Sequence, residues 1–298
     1  MAQKIIRCTD RHFERMLEFV NTHNPASEHH IGYFGVTPAD IRQSVLMLNL
    51  RYNRGFRLAL EGSRLVGVMG MDFDKEIGRA WLYGPIVVAD GSAADWAATA
   101  DALYAAVTPV LPVGIHEHEM FVDTENAHCR AFAARHDFHN QGEMEIYFIT
   151  PDRLAALPEA TAEEWDGRFA DRFIALHDQL FPRSNFTLNS MLSERDKGAT
   201  LLLLTDGDDL AGYFFGRADA VSGEAFVDFV GVDPARHGQG LGRRLMLAGL
   251  WRQRMTPNLN QVNLTVKPDN LPAVRLYESL GFVRERGMVA FRKKVGQD

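Results

Sequence analysis

The sequence repeats itself at a nearly constant offset, and this repeat limits the possible folds more than any other feature. Four pairs of landmarks are separated by 144 or 145 residues: 61–68 (EGSRLVGV) with 206–213 (DGDDLAGY), 88–90 with 232–234, Asn126 with Asn270, and Phe138 with Phe282. Solenoid repeats are much shorter, about 20 to 50 residues. The offset therefore indicates two tandem copies of one domain rather than a solenoid.

The boundary between the copies is predicted in the segment 151–163, PDRLAALPEATAE, which combines two prolines with small residues. We therefore expect one domain over residues 1–150 and a second over residues 160–298. A chain of 298 residues is long for one domain and comfortable for two.

Composition and charge are those of an ordinary globular protein. The apolar fraction is 46%, the charged fraction 24% and the net charge -7, which argues against a nucleic-acid or membrane-surface binder. The two cysteines, Cys8 and Cys129, form no disulfide framework and no metal-ligand pair. Charged residues interrupt the N-terminal segment, and no apolar run approaches about 20 residues. A cytoplasmic location without membrane partners is the expectation.

The order of predicted elements is similar in both copies. Apolar strands separated by acidic-glycine turns come first, and strand–helix–strand units follow. In the second copy, the segment 241–251 has helical spacing of its apolar residues. A further helix is predicted after Asn270, an N-cap candidate, and before Gly281, a C-cap candidate. The fold class is thus α/β (α+β), with a mixed, mainly antiparallel sheet and flanking helices in each domain.

The segment 230–245, VGVDPARHGQGLGRRL, predicts an anion site. An apolar strand runs into a turn with Gly238, Gly240 and Gly242, and two arginines follow at the start of a helix. The first N–H groups of a helix lack intrahelical partners and carry the positive end of its dipole. Glycines let that backbone approach a phosphate closely. Neither the Walker ending GK[ST] nor the dinucleotide pattern GxGxxG is present, because positions 243 and 244 are arginines.

Two motifs together resemble the GNAT acyltransferases. The first is the acyl-CoA loop [QR]xxGx[GA], which the segment HGQGLG at 237–242 fits except at His237. The second is a helix of the form NxxAxxLYxxxGF, made here by Asn270, Ala273, Leu276, Tyr277, Gly281 and Phe282. The doubled arrangement resembles the tandem-GNAT group, in which mycothiol synthase-like proteins are found. The likeness is loose outside the second copy.

The resemblance implies an acetyl-CoA site in the second copy. The pantetheine arm would lie in a split of the sheet and pair with the backbone of Val230 and Val232. The pyrophosphate would be held by the loop, and Asn270 would contact CoA or be a plain N-cap. His237 departs from the family's Arg or Gln, and Arg236 is the neighbouring cation that could compensate. The expected loop contacts are His237, Gly238, Gln239, Gly240, Leu241, Gly242 and Arg243.

The resemblance also implies two catalytic residues. Tyr277 would protonate the departing thiolate, although helical spacing is equally compatible with a core tyrosine. Asp228 interrupts the apolar strand FVDFVGV and is the candidate base that deprotonates the amine, unless it is merely paired with a cation. Glu224 is a second, weaker candidate. No cysteine is present in the second copy to serve as a nucleophile.

The acceptor is predicted to be a small primary amine bound near the loop 180–186, LFPRSNF. In the family this loop borders the acceptor, so Arg183, Asn185 and Phe186 are weak candidates for contacts. Histidines at 116 and 118 alternate on one strand. No completing ligand is evident, so a polar sheet face is preferred and no metal is expected.

The first copy lacks the predicted chemistry. Ala133 stands at the position of Tyr277, Gly84 stands at the position of Asp228, and the loop after Val88 has a single glycine and no basic residue. We expect this domain to be non-catalytic. The whole chain is therefore predicted to be an N-acyltransferase with one active centre, which transfers an acetyl or another short acyl group from CoA to a primary amine by direct attack in a ternary complex. The alternative is an acyl-CoA-binding sensor without turnover.

Overall fold

A computed structural model describes residues 3–35, 37–88, 92–182, 184 and 186–296. The chain divides into two compact units. Unit 1 comprises residues 1–144 and 286–298, and unit 2 comprises residues 145–285. Among the described residues, no helix combines the length and the apolar character needed to cross a bilayer.

The elements up to residue 135 all belong to unit 1. The strands are β1 (Gln3–Arg7), β2 (Phe56–Glu61), β3 (Arg64–Asp74), β4 (Arg79–Val87) and β5 (Glu117–Asp123). The helices are α1 (Asp10–His23), α2 (Pro38–Leu46), α3 (Tyr52–Gly55), α4 (Ala93–Val107) and α5 (Ala127–Arg135), with 3-10 turns at Ser27–His29 and Thr108–Val110.

The remaining elements begin with β6, which closes the first repeat, and then follow a similar order from β7 onward. The strands are β6 (His139–Ile149), β7 (Glu163–Glu164), β8 (Thr200–Asp206), β9 (Asp209–Asp219), β10 (Glu224–Val232), β11 (Gln261–Val266) and β12 (Val283–Lys294). The helices are α6 (Pro151–Ala155), α7 (Ala170–Leu180), α8 (Leu188–Arg195), α9 (Leu241–Gln253) and α10 (Leu271–Ser279), with 3-10 turns at Gly167–Phe169 and Pro234–Arg236.

The two units have the same strand order. In unit 1 the order is β1-β2-β3-β4-β5-β12, and in unit 2 it is β7-β8-β9-β10-β11-β6. In each unit the first four strands are antiparallel, the next pair is parallel (β4 with β5, β10 with β11), and the last strand is antiparallel again. The internal repeat and the mixed, mainly antiparallel sheet predicted from the sequence are confirmed.

The division into units differs from the two consecutive domains, 1–150 and 160–298, that the sequence predicted. Residues 145–149 of β6 pair with β11 inside unit 2, and residues 288–294 of β12 pair with β5 inside unit 1. The last strand of each repeat therefore completes the sheet of the other unit. Strand pairing between distant segments produced this exchange, whereas the repeat offset reports only the order of elements along the chain.

The sheet of unit 2 is buried on both faces. On β9, Phe214 packs with residues of α9, whereas Tyr213 and Phe215 pack with residues of α7 and α8. This separation follows from the alternation of side chains along a strand. The run LAGYFFG is apolar without interruption because its two faces meet different helices.

Candidate active site

The strands β10 and β11 are parallel neighbours over only part of their length. Their ladder runs from the Glu224–Gln261 pair to the Val227–Leu264 pair, although β10 continues to Val232. On its other side β10 stays paired with β9 as far as Val232. The sheet of unit 2 therefore opens into a gap beyond Val227, where an extended ligand could bind as an added strand.

Backbone groups of Val230 and Val232 face this gap. The N–H of Asp233 donates to the carbonyl of Ala211 on β9 at 2.9 Å. In an antiparallel pair, residues that exchange hydrogen bonds alternate with residues that point outward. Asp233 and Gly231 thus face β9, and Val230 and Val232 direct their N–H and C=O groups away from it. These are the two residues that the resemblance assigned to the pantetheine arm.

Asp228 is the extra residue of a β-bulge in β10. The register with β9 passes from Val227–Gly216 directly to Phe229–Phe215, which leaves Asp228 unpaired. Bulges re-aim side chains and interrupt pairing, and they are common beside active sites. Here the bulge lies where the β10–β11 ladder ends. The sequence did not predict it, because an extra residue in one strand leaves no local pattern.

The carboxylate of Asp228 is held by Arg217 in a two-point ion pair. The Nε and Nη2 atoms of Arg217 donate to the two carboxylate oxygens at 3.0 and 2.7 Å. Burial lowers the pKa of Arg217, but the hydrogen bonds and charge of Asp228 outweigh burial, so the pKa lies above its ordinary value. Asp228 is therefore paired with a cation, which is the alternative to a catalytic base that the sequence left open. The sequence analysis did not single out Arg217.

The glycine loop connects β10 to α9 and leaves its backbone donors open. Gly238 and Gly240 have φ angles of 77° and 76°, in the left-handed region that favours glycine. A Cβ at either position would meet nothing within 4 Å, so no described atom crowds these two glycines. Among the described residues, no group accepts from the N–H groups of residues 238–243. The loop can therefore hold an anion at the start of α9.

Gly242 lies in the first turn of α9 and is required by neither conformation nor space. A Cβ there would be 3.5 Å from a carbon of Leu276, an ordinary contact distance. Leu241 begins the helix, and Gln239 is exposed.

The cationic side chains around the loop differ in whether they are free to contact an anion. Arg236 is paired with Asp206 and Asp209, so the expectation that it compensates for His237 is not supported. The Nε2 atom of His237 lies 3.1 Å from the carbonyl of Val232. Arg243 is exposed and donates to the hydroxyl of Ser279 at 3.0 Å. Arg243 is therefore the cation that stands between the loop and α10.

The helix α10 carries Asn270 and Tyr277. The Asn270 side chain accepts from the N–H of Ala273 at 3.4 Å and caps the helix. The ring of Tyr277 is half-buried beside Phe282, and its hydroxyl has no hydrogen-bond partner among the described residues. Burial raises the pKa of Tyr277 to about 12. The phenol is thus neutral at physiological pH and available as a proton donor.

The predicted acceptor residues fall in different places. Phe186 packs against Phe229 at 5.7 Å between ring centroids, and the guanidinium of Arg217 lies 5.1 Å from its ring centroid. Arg183 and Asn185 lie outside the described residues. Glu224 is buried at the other end of β10 from the glycine loop and accepts from Gln261 at 3.1 Å, within the paired part of the sheet.

A buried histidine that the sequence analysis missed lies beside Phe229. The Nδ1 atom of His177 is 2.5 Å from the hydroxyl of Tyr213, and its Nε2 atom is buried without a partner among the described residues. His177 lines a cavity of about 230 Å³ together with Phe186 and Asp178. Burial lowers the pKa of His177, and the Phe186 backbone and the charge of Asp178 offset only part of this. The sequence contained one signal for this residue, a histidine on the apolar face of α7.

The equivalent gap in unit 1 is filled by the chain itself. The β4–β5 ladder ends at the Trp81–Glu119 pair, and β12 covers the opposite edge of β5. The edge of β5 beyond Glu119 pairs instead with the 30–32 segment. Gly32 N–H donates to the carbonyl of Phe121 at 2.8 Å, and Asp123 N–H donates to the carbonyl of His30 at 3.2 Å.

The facing edge of β4 is covered as well. The carbonyls of Val87 and Pro85 accept from the Trp96 indole at 3.1 Å and from the Cys129 thiol at 3.4 Å. The register makes Val87 and Pro85 the counterparts of Val232 and Val230. Pro85 also has no N–H to donate. The gap that is open in unit 2 is therefore closed on both edges in unit 1. Residues 89–91, which follow β4, lie outside the described residues.

Comparisons of the sequence with known proteins match part of the chain. The model of the acetyltransferase (GNAT) family matches residues 158–282. A mycothiol acetyltransferase of Kineococcus radiotolerans is 43% identical over 98 residues, 33% of this chain and 31% of that protein. One of Renibacterium salmoninarum is 34% identical over 137 residues, 43% of this chain and 39% of that protein. The chain thus spans well under half the length of these curated relatives.

Solved structures resemble the chain over its whole length. A GCN5-related N-acetyltransferase from Sphaerobacter thermophilus superimposes with a TM-score of 0.67 at 16% identity and covers 99% of this chain and 97% of its own. A tandem GNAT protein from the clavulanic acid biosynthesis pathway gives a TM-score of 0.60 at 16% identity and covers both chains completely, 100% of each. At such identities the likeness concerns the fold. Residues 158–282 thus match the model of the GNAT acetyltransferase family, and the chain as a whole has the tandem GNAT fold.

Proposed function

We propose that the chain transfers an acetyl group from acetyl-CoA to the primary amine of a small molecule, with one active centre in unit 2. The observation that carries the proposal is the one-sided pairing of β10. Among the described residues, no strand pairs with its backbone on the gap side from Val230 to Val232, where only the His237 Nε2 lies at 3.1 Å from the Val232 carbonyl, and the same strand leads directly into the open glycine loop. One molecule with an extended arm that leads into a diphosphate would engage both features.

The backbone of β10 and the loop would bind acetyl-CoA. Val230 and Val232 would pair with the amides of the pantetheine arm in the manner of an added strand. The free N–H groups of residues 238–243 and the exposed Arg243 would hold the diphosphate. A backbone N–H next to the bulge would polarise the thioester carbonyl as its oxygen gains negative charge.

Tyr277 would supply the proton in the proposed reaction. The amine nitrogen attacks the carbonyl carbon, the C–N bond forms, and the C–S bond then breaks to release the CoA thiolate. The unpartnered hydroxyl of Tyr277, with its pKa near 12, stays protonated until that thiolate appears. Its proton ends on sulfur, and the proton lost by the amine goes to a base.

The base would be Asp228 acting through water, or water alone. Each carboxylate oxygen accepts one hydrogen bond from Arg217. A carboxylate oxygen has a further lone pair that can accept from a water molecule. Arg217 engages both carboxylate oxygens, so Asp228 would reach the amine only through that water. Asp228 is therefore the less decisive of the two catalytic candidates.

The acceptor would bind on the α7–α8 face, near Phe186 and Phe229. The cavity lined by His177 and Asp178 lies on that face and offers one negative charge to an amine. Since the similar proteins are mycothiol acetyltransferases, their acceptor is the first small molecule to test. The residue-level roles of Arg183 and Asn185 stay predictions.

One observation favours the alternative of an acyl-CoA-binding protein without turnover. The only carboxylate on the bulge is already neutralised by Arg217. Such a protein would bind acetyl-CoA in the same gap but would release no thiol in the presence of amines. Thiol release therefore separates the two functions.

The deciding experiment is a calorimetric titration of acetyl-CoA into the wild type and into Gly240→Trp. Gly198→Trp is a matched control, because Gly198 also has a positive φ of 108° and open space around its Cβ but lies between α8 and β8. We expect one site per chain that is lost only in Gly240→Trp. An amine screen with thiol detection then tests for turnover. Absence of binding to the wild type would contradict the proposal.

A further inference from the structure

The side chain of Gln253 reaches the β9–β10 pair immediately before the bulge. Its Nε2 atom donates to the carbonyl of Phe226 at 2.7 Å and to the carbonyl of Arg217 at 3.3 Å. Phe226 and Arg217 face each other across the two strands. One side-chain amide from the last residue of α9 therefore ties both strands together. Gln253 is only 2% exposed, so its side-chain amide is shielded from water.

Gly216 makes room for this contact. It pairs with Val227 at the bulge, and a Cβ at this position would lie 2.5 Å from the Nε2 of Gln253 and 2.7 Å from the carbonyl oxygen of Phe226. Gly216 is not among the residues with a positive φ. Space, and not backbone conformation, therefore requires glycine here, and Gly216 and Gln253 fit each other.

The amide of Gln253 is only half satisfied. Its Oε1 atom is buried without a hydrogen-bond partner among the described residues. A buried acceptor without a partner costs free energy, and a leucine or methionine at the end of α9 would avoid that cost. A glutamine at this position is explained if the carbonyls of Phe226 and Arg217 need its N–H donors.

The bulge determines which groups face the gap. The β10–β11 ladder ends at Val227, one residue after Phe226. Removal of the extra residue from the pairing would shift the rest of β10 by one position, and every following side chain would change faces. Val230 and Val232 would then turn their backbone groups towards β9. The gap and the direction of Asp228 both depend on the bulge being kept in place.

We propose that Gln253, together with Gly216, is a positioning residue that holds the bulge of β10 and thereby keeps the cofactor gap in its binding geometry. The inference rests on the proposed function in that the gap receives acetyl-CoA. Gln253 touches no reacting atom and acts through the backbone of Phe226 and Arg217. On the opposite face of the sheet, the ion pair of Arg217 with Asp228 also joins β9 to β10 at the bulge.

The test uses Gln253→Met, Gly216→Ala and the double variant, with Leu250→Met as a control on the same buried face of α9. Methionine has nearly the length of glutamine but no N–H donors. Acetyl-CoA affinity is measured by calorimetry, hydrogen exchange by mass spectrometry of the 224–232 segment, and thermal unfolding for each variant. These readouts need no acceptor.

We expect each single variant to raise the Kd for acetyl-CoA by about tenfold, the effect of one hydrogen bond. Hydrogen exchange should rise in the 224–232 segment. The double variant should lose less than the sum of the single effects, because both disturb the contact of Gln253, although the Cβ on residue 216 also meets the carbonyl of Phe226. Leu250→Met should leave the Kd unchanged.

A fall in the unfolding temperature with unchanged Kd and unchanged exchange in 224–232 would overturn the inference, since it would reduce Gln253 to a packing residue. Additive effects in the double variant would count against it too. Failure of the wild type to bind acetyl-CoA would refute the proposed function instead. The exchange data would then still decide whether Gln253 holds the bulge.

Discussion

At the residue scale, the hydroxyl of Tyr277 is a neutral phenol that faces no described partner. In Tyr277→Phe, kcat should fall by about 10²- to 10³-fold, because the thiolate must leave without a proton donor. The Kd for acetyl-CoA should stay unchanged, since the ring remains. Thiol release and calorimetry measure the two quantities. Equal kcat values for the variant and the wild type would remove Tyr277 from the reaction.

The pKa of Tyr277 also predicts the alkaline limb of the pH profile. With a pKa raised to about 12, the phenol keeps its proton throughout the neutral and mildly alkaline range. The value of kcat/KM should therefore show no fall due to Tyr277 up to roughly one unit below that pKa. A fall near pH 8 that disappears in Tyr277→Phe would contradict the assignment.

Two glycines of the same loop should respond differently to alanine. Gly240 has a φ of 76°, so Gly240→Ala should lower the free energy of unfolding by about 1–2 kcal/mol. It should also weaken acetyl-CoA binding, because the loop N–H groups turn away. Gly242 is helical and its Cβ would have ordinary contacts, so Gly242→Ala should keep the stability of the wild type. Urea unfolding compares the pair, and equal losses would show that φ is not the cause.

At the element scale, the 30–32 segment serves unit 1 as an extra strand. A Cβ on Gly32 would lie 2.5 Å from a ring carbon of Phe121 and 2.7 Å from the terminal methyl carbon of Met288. Gly32→Ala should therefore destabilise the protein by about 1–3 kcal/mol through overpacking. The Kd for acetyl-CoA should not change, because the proposed site lies in unit 2. A changed Kd with unchanged stability would contradict this separation.

Local patterns predicted the elements that matter for the site. The glycines at 238 and 240 predicted the turn, the spacing after Asn270 predicted α10, and the constant offset predicted the repeated strand order. Each of these signals is contained in a short stretch of sequence. Asn270 as an N-cap is of the same kind, because a cap needs only the first turn of its own helix.

The features that the sequence did not predict all depend on the pairing of strands or segments with one another. The bulge at Asp228 is a matter of register between β9 and β10, and Arg217 becomes its partner only in that register. The contact of the 30–32 segment with β5 joins residues about 90 positions apart. The exchange of β6 and β12 joins still more distant segments. No local period records such pairings.

At the scale of the whole molecule, two buried histidines of unit 1 predict sensitivity to acid. Burial lowers the pKa of His30 and of His118 to about 4, against an ordinary value of 6.5. The unfolded chain therefore binds protons first as the pH falls below 6.5, and stability is lost between pH 6.5 and about 4. Each histidine accounts for up to about 3 kcal/mol over this range.

The measurement is urea unfolding between pH 7 and pH 4. His118→Gln should flatten the pH dependence, because glutamine can still meet the hydroxyl of Tyr104 but does not titrate. His139→Gln is the control, since His139 is exposed. A pH dependence that is identical in His118→Gln and the wild type would contradict the assignment to His118.

The filled gap of unit 1 has a thermodynamic consequence. A strand that is part of the covalent chain is present at a fixed effective concentration, which dilution does not reduce. In the proposed function, unit 2 would instead recruit its extra strand from solution, and by linkage its stability would rise with free acetyl-CoA by about 2.7 kcal/mol at one hundred times the Kd. Under the proposed function, one half of the chain is thus permanently tethered to its strand, and the other half reports the ligand concentration as a melting temperature.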